Sequence, residues 1–312
     1  MDPFDTSTPQ PSGAPQTRHG PPLGPDGLPL AELSLKWTKE DIEQRLGFTG
    51  ERYTGVNRLM SFLLATLLSV AFYLVMVFLV HPQPDLQWLS DKFTNRGITP
   101  YPTVFFFFWA WVMLFVKGRK LAYQRRTLGL RPVPQAPDFV LNPETAREVL
   151  ARINNLVDSP MHFILLNRIY NALSNLQNIG RVSDVSDVLK AQAEYDEDIQ
   201  QGSYSLIGGF VWAIPVLGFI GTVIGLGQAI GAFGETLQAG GDMSALKGSL
   251  TQVTAGLSTS FDTTLIALVG ALYIQLRSTF IQQREQAFLD ECNDYCQKYV
   301  VSRLKLVDTS RD

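Results

Sequence analysis

The chain has 312 residues, with 26 Lys and Arg against 29 Asp and Glu, and 46% of its side chains are hydrophobic. A net charge of −3 gives no basic footprint for nucleic acid, and two cysteines with three scattered histidines leave little from which to build a metal centre. The modest hydrophobic average hides strong segregation along the chain.

Residues 1–30 are rich in Pro, Gly, Ser and Thr without an apolar period, which reads as a disordered tail reaching to about residue 35. A short helix within 36–58 starts at Thr38, because Thr38 and Asp41 have capping-box spacing ahead of Ile42 and Leu46. Leu59 to Val80 carries no charge, and at about 1.5 Å per residue it reaches about 33 Å, enough to cross a hydrocarbon core. A second apolar run, YPTVFFFFWAWVMLFV from Tyr101 to Val116, is shorter. Its aromatic ends and the following Lys117, Arg119 and Lys120 suit an interface or snorkelling, which makes a short crossing workable. Spans one and two thus occupy 59–116.

The segment 117–205 reads as a small helical bundle. After the linker RPVPQAP, Asn142 before Pro143 and Ser159 before Pro160 each look like an N-cap followed by proline at the first helical position, framing helices over 143–157 and 160–178. From Ser183 a polar helical pattern feeds into a third span from about Leu206 to Phe233, and a fourth runs from about Leu250 to Leu276, so that spans three and four lie within 206–276. A C-terminal helix follows over 277–312. The expected fold is therefore all-α: a polytopic membrane protein with four transmembrane helices, extended membrane helices and a small cytoplasmic bundle.

Lys36, Lys39, Arg45, Arg52 and Arg58 precede the first span and KGRKLAYQRR follows the second, whereas the connections at 81–100 and 234–249 hold only Lys92, Arg96 and Lys247. The excess of Lys and Arg puts both termini and 117–205 on the cytoplasmic side and the two short loops outside. On that side Cys292 and Cys296 are four apart and read as reduced thiols.

The chain offers no catalytic constellation. GLGQAIG at 225–231 is one residue too long for a dinucleotide fingerprint and follows no strand, GGD at 240–242 reads as a turn, and no Walker lysine or G-x-S-x-G elbow occurs. Catalytic residues, a metal and a cofactor are all expected to be absent, and an enzyme is not expected.

What chemistry there is lies in spans three and four. WAIPVLGFIGTVIGLGQAIGAF (212–233) carries Pro215 and Gly218, Gly221, Gly225, Gly227 and Gly231. Gly221 with Gly225, and Gly227 with Gly231, share helix faces that permit close backbone approach, either within one subunit or between copies. Pro215 frees a carbonyl one turn earlier and allows a bend. The fourth span, TQVTAGLSTSFDTTLIAL, places Thr251, Ser258 and Asp262 in one sector, Thr259 and Thr263 in a second, and Ser260 and Thr264 in a third. Polar groups on several faces cannot all meet lipid, and a mid-helix carboxylate costs roughly 2.5–3.5 kcal/mol to insert, so Asp262 must face protein or water or be protonated. Two readings stay open: hydroxyls bonded to carbonyls one turn back with Asp262 near an interface or at a subunit seam beside Ser258, or a polar ion path lined by this helix and Thr222.

The two motifs together, AIPVLGFIGTVIG and GLSTSFDTTLIAL separated by a short loop, resemble the paired helices of the MotA/TolQ/ExbB proton-channel family, most strongly over 203–276. The resemblance implies an inner-membrane, multi-pass subunit that forms a homopentamer around a dimer of a single-span partner of the MotB/TolR/ExbD kind. In that family the partner's membrane aspartate carries the proton and the proton motive force drives a rotary motor. It further implies an ion pathway formed by Thr222, Ser260 and Thr264, with Asp262 and Thr263 also counted in it. Four spans are similar to the flagellar-stator branch, whereas TolQ and ExbB have three; no torque-generating motif carries over. Ser260 stands where many relatives have threonine, and Asp262 is an additional carboxylate. A non-conducting membrane scaffold that oligomerises through its glycine faces is the alternative.

Overall fold

The computed structural model describes residues 35–37, 41–95, 97–136, 138–174, 176, 182–238 and 243–305. The tail over 1–30, the helix start at Thr38, the turn at 240–242 and the end of the chain past 305 lie outside the described residues. Among the described residues the fold is all-α, with two isolated bridges, Leu35 to Val157 and Leu141 to Leu304.

Asp41 caps the short α1 (Ile42–Arg45), and Asn57 caps α2 (Arg58–Val75) by accepting from the amides of Leu59 and Met60. α2 continues as a π-turn over Met76–Val80. The Ser90 hydroxyl of α3 (Gln87–Thr94) donates to the Met76 carbonyl at 3.0 Å, which ties α3 back against that end of α2. There follow α4 (Pro100–Gln124), α5 (Arg126–Gly129), α6 (Pro143–Leu156), α7 (Ile164–Ser174) and two helices of 57 residues, α8 (Val182–Gln238) and α9 (Met243–Tyr299). Four stretches are long and apolar enough to cross a membrane: Arg58–Val80, Pro100–Gly129, Val182–Gln238 and Leu246–Arg303.

Packing follows side-chain size. α2 turns Ser61, Ala65 and Ser69 inward, and the aromatic run of α4 fills the space they leave. The Trp109 indole donates to the Ser61 hydroxyl at 3.0 Å, and the Phe62 ring meets Phe105 and Trp109 edge-on. Leu63, Leu67, Val70, Leu74 and Phe78 cover the outer face of α2 and stay exposed, a surface that water would penalise and lipid does not.

At about 1.5 Å per residue, α8 and α9 extend about 85 Å, far beyond a hydrocarbon core of about 30 Å. Their polar halves reach a base where α6 and α7 pack on α4 and α9 around Ile153, Phe163, Leu165, Ile169, Phe288 and Val300. Asn142 caps α6 in a capping box with Thr145, and Pro143 takes the first helical position. The helix expected from Pro160 does not form there: Pro160–His162 is a single 3-10 turn, Phe163 is extended, and α7 begins at Ile164. Two gains offset the break. Phe163 is fully buried edge-on to Trp37, and the Gln124 amide both donates to the His162 carbonyl at 2.6 Å and accepts from Ile164 N at 3.1 Å.

The lysines that follow the second apolar run do not snorkel. Lys117 and Lys120 are buried, each against a carboxylate from a distant part of the chain. Lys117 Nζ lies 3.2 Å from Glu285 of α9, donates to Ser203 Oγ of α8 at 2.8 Å and rests on the Tyr204 ring. Glu285 also accepts from the Tyr204 hydroxyl at 2.8 Å and from Thr54. Lys120 Nζ donates to Glu43 at 2.6 Å and to the Gly55 carbonyl at 2.8 Å. These two clusters bind α4, α8, α9 and the loop after α1 into one collar beneath the apolar spans. Deeper in the base, Arg168 of α7 donates to Asp196 of α8 at 2.7 Å. Cys292 and Cys296 are free and buried nearby, where burial pushes the Cys296 thiol up to about 12 and keeps it protonated.

Removing one member of the Lys117–Glu285 pair strands a buried charge, which costs about 3–5 kcal/mol. Lys117→Met is expected to lower the thermal midpoint of detergent-solubilised protein strongly, and Lys117→Met with Glu285→Gln to recover part of the loss. A Lys117→Met midpoint no lower than that of the exposed-site variant Lys190→Met would contradict the collar.

Candidate functional site

α8 and α9 run antiparallel, and glycine sets how closely they approach. A methyl group at Gly218 would stand 2.5 Å from the Ala267 Cβ, one at Gly225 2.7 Å from the Ser260 hydroxyl, and one at Gly256 2.6 Å from the Ala229 Cβ. At Gly221 it would meet Thr99 Oγ1 at 2.5 Å and Thr263 Oγ1 at 3.0 Å. Gly218, Gly221 and Gly225 therefore pack within this one chain. Gly227 and Gly231 have nothing within 4 Å of such a methyl. The two pairs read as equivalent from their spacing are thus different surfaces. Pro215 lies inside unbroken α8.

Because the backbones are so close, short side chains reach across. Ser260 Oγ donates to its own helix at the Gly256 carbonyl (2.9 Å) and lies 3.2 Å from the Thr222 carbonyl on α8. Thr264 Oγ1 reaches the Gly218 carbonyl at 3.1 Å, and Thr222 Oγ1 has the Ser260 carbonyl at 3.1 Å and the Gly218 carbonyl at 3.3 Å. The Thr222 and Thr264 hydroxyls also touch each other in a short hydrogen bond. Thr263 is buried and donates to the Ser260 carbonyl at 3.0 Å.

Each hydroxyl has one proton, so the seam supports two arrangements. In one, Thr222 donates to Thr264, which donates to Gly218. In the other, Thr264 donates to Thr222, which donates to the Ser260 carbonyl. Both satisfy every hydroxyl, and they differ only in which oxygen keeps lone pairs free for an outside donor. Ser260 is fully buried, whereas Thr222 and Thr264 are half-buried, which leaves that pair reachable from beyond the seam.

Asp262 is placed elsewhere. It lies two residues from both Ser260 and Thr264, about 200° around the helix, and so points away from the hydroxyl pair. Lys92 of α3 donates to its Oδ1 at 2.9 Å, and the Lys92 ammonium sits 5.3 Å from the centre of the Trp88 ring. The carboxylate thus has a cation as ion-pair partner, where the sequence offered only hydroxyls such as Ser258. Asp262 and Lys92 side chains keep 17% and 28% exposure, so the pair is shielded without being sealed.

A cleft of about 500 Å³ opens beside the glycine seam, towards the α3 end, lined by Thr99, Gly221, Gly225, Gln228, Gln252 and Gly256 among others. Thr99, Gln228 and Gln252 escaped the sequence reading. The glutamines carried a legible signal, being uncharged polar groups in otherwise apolar spans; Thr99 carried none. Among the described residues no group of three or more His, Cys, Asp or Glu could hold a metal ion.

Comparison with family models matches residues 159–293 to the MotA/TolQ/ExbB proton channel family, the family that the paired motifs resemble. The matched segment contains α7, α8 and the whole seam with α9. Comparisons with curated proteins and with solved structures give no match.

A charge swap tests the Asp262 placement. Lys92→Asp sets two carboxylates face to face and is expected to cut the yield of folded protein, whereas Lys92→Asp with Asp262→Lys restores it. Equal yields for the single and the swapped variant would show that the two side chains do not meet.

Proposed function

We propose that this chain, whose residues 159–293 match the MotA/TolQ/ExbB proton channel family, is the proton-channel subunit of an ion-driven membrane motor or energiser. Five copies surround a dimer of a single-span partner of the MotB/TolR/ExbD kind in a bacterial inner membrane. Both termini and residues 117–205 face the cytoplasm, in line with the arginines and lysines around the spans. The observation that carries the reading is the hydroxyl pair Thr222–Thr264, half-buried on the α8–α9 seam of the matched segment.

A partner carboxylate brought to that pair meets groups that serve it in either protonation state. In either arrangement one hydroxyl oxygen keeps lone pairs free to accept from the neutral acid, and a hydroxyl proton turned from its seam carbonyl towards the partner donates to the ionised carboxylate. Away from bulk water such matching stabilises charge more than it does in water. Ser260 and Thr263 hold the seam in register, and Asp262, paired with Lys92 on the far side of α9, stays out of the path. Gly227 and Gly231, open on α8, are the faces on which neighbouring copies approach.

Thr222→Val and Ser260→Ala each remove a hydroxyl with little change of size. In vesicles reconstituted with the complex purified together with its partner, the double variant is expected to assemble normally and to lose about 100-fold or more of its proton uptake, the lower end of what a lost positioned proton-transfer group costs. Unchanged uptake would remove these hydroxyls from the path. Absence of uptake from the unmodified complex would favour the scaffold reading.

A further inference from the structure

Three clefts run end to end along the seam between α4 and α9. The first, about 620 Å³, lies beside α3 and shares Trp111 and Tyr273 with the second, about 450 Å³. The second shares Phe115, Arg277 and Phe280 with the third, about 780 Å³. From Leu265 to Arg284 this groove follows α9 for about 28 Å, close to the thickness of a hydrocarbon core. Its upper part is walled by apolar side chains apart from Thr103 and Lys92, whose ammonium is paired with Asp262. The third cleft is different in kind, because Arg119, Arg125, Arg277 and Arg284 all line it.

Arg125 is held by Glu291 at 2.5 Å. Arg119, Arg277 and Arg284 are exposed and have neither an ion pair nor a hydrogen bond among the described residues. They stand just past the apolar runs that end at Val116 and Leu276, the depth of lipid headgroups. We propose that this groove is a binding site for an anionic phospholipid, whose phosphate lies among Arg119, Arg277 and Arg284 and whose acyl chain runs along Phe280, Tyr273 and Trp111.

Charge complementarity selects the occupant. Guanidinium groups bind phosphate through paired, charge-assisted hydrogen bonds, and basic pockets between membrane helices recognise anionic headgroups. A second copy of the chain fits less well: level with Arg277 to Arg284, α8 reads QGSYSLIG (201–208), without a carboxylate, and Glu285 is buried against Lys117. The site lies on α4 and α9, apart from the hydroxyl pair, so lipid preference and proton uptake stand or fall separately.

Native mass spectrometry of the detergent-purified complex, titrated with phosphatidylglycerol or phosphatidylcholine, tests the assignment. The unmodified protein is expected to retain phosphatidylglycerol at least about tenfold better, given about 1 kcal/mol per basic residue at a membrane surface. Arg119→Gln with Arg277→Gln and Arg284→Gln abolishes that preference. Arg125→Gln, whose guanidinium already has Glu291, preserves it. If the triple variant does not fold, single Arg277→Gln and Arg284→Gln variants are each expected to lose about threefold or more. Glycerol phosphate should not displace the lipid, because it leaves the apolar groove empty. Equal retention of the two lipids, a preference that survives loss of the arginines, displacement by glycerol phosphate, or cross-linking of Arg277→Cys to a second copy in place of lipid would each overturn the proposal.

Discussion

The close approach of α8 and α9 is the constraint on which the rest of the molecule depends. Where a helix pair meets through Leu and Val, hydroxyls on the two backbones stay too far apart to touch. Here Gly218, Gly221 and Gly225 on one side and Gly256 on the other remove the spacing side chains, and Thr222 then reaches Thr264 and the Ser260 carbonyl. The glycines weaken each helix by roughly 1 kcal/mol per residue. Contact along the pair, and the collar at its base, offset that cost. The collar also explains why the two helices continue far past the membrane: Lys117, Ser203, Tyr204 and Glu285 come from α4, α8 and α9 and meet only because the helices extend to that level.

Polar groups inside the spans divide into two sets with different surroundings. Ser260, Thr264 and Thr222 are neutral and bond one another and backbone carbonyls across the seam, while Thr263 bonds the Ser260 carbonyl of its own helix. Asp262 is matched by Lys92, carried in on a short helix that is itself tied to the π-turn of α2. A carboxylate in a span needs such a partner, and its position on the other side of α9 keeps that charge away from the hydroxyls. The division gives one helix both an ionic anchor and a neutral face of hydroxyls.

Much of this was legible in the sequence. Apolar runs gave the four crossings, the Asn142–Pro143 cap marked the start of α6, and the polar pattern from Ser183 pointed to one helix running into the third span. Glycine spacing showed that close packing was needed without showing where: Gly221–Gly225 and Gly227–Gly231 have the same spacing, and only the position of α9 separates them. Ion partners were hidden for a different reason. Lys117 and Glu285 are 168 positions apart and Lys92 and Asp262 are 170 apart, and no periodicity connects such residues. A lysine at the end of an apolar run therefore read as an interfacial anchor when it is a buried counter-ion. The break at Phe163 was equally invisible, since it depends on Gln124, 40 positions earlier, to satisfy Ile164 N.

The central claim is that the half-buried hydroxyl pair faces a proton-carrying partner. Photo-cross-linking in native membranes, with a photoreactive residue in place of Thr222 and, separately, of Gly227, addresses it most directly. The Thr222 position is predicted to capture a different, single-span protein with a carboxylate in its span, and the Gly227 position to capture another copy of this chain. Capture of lipid alone at Thr222 would contradict the account.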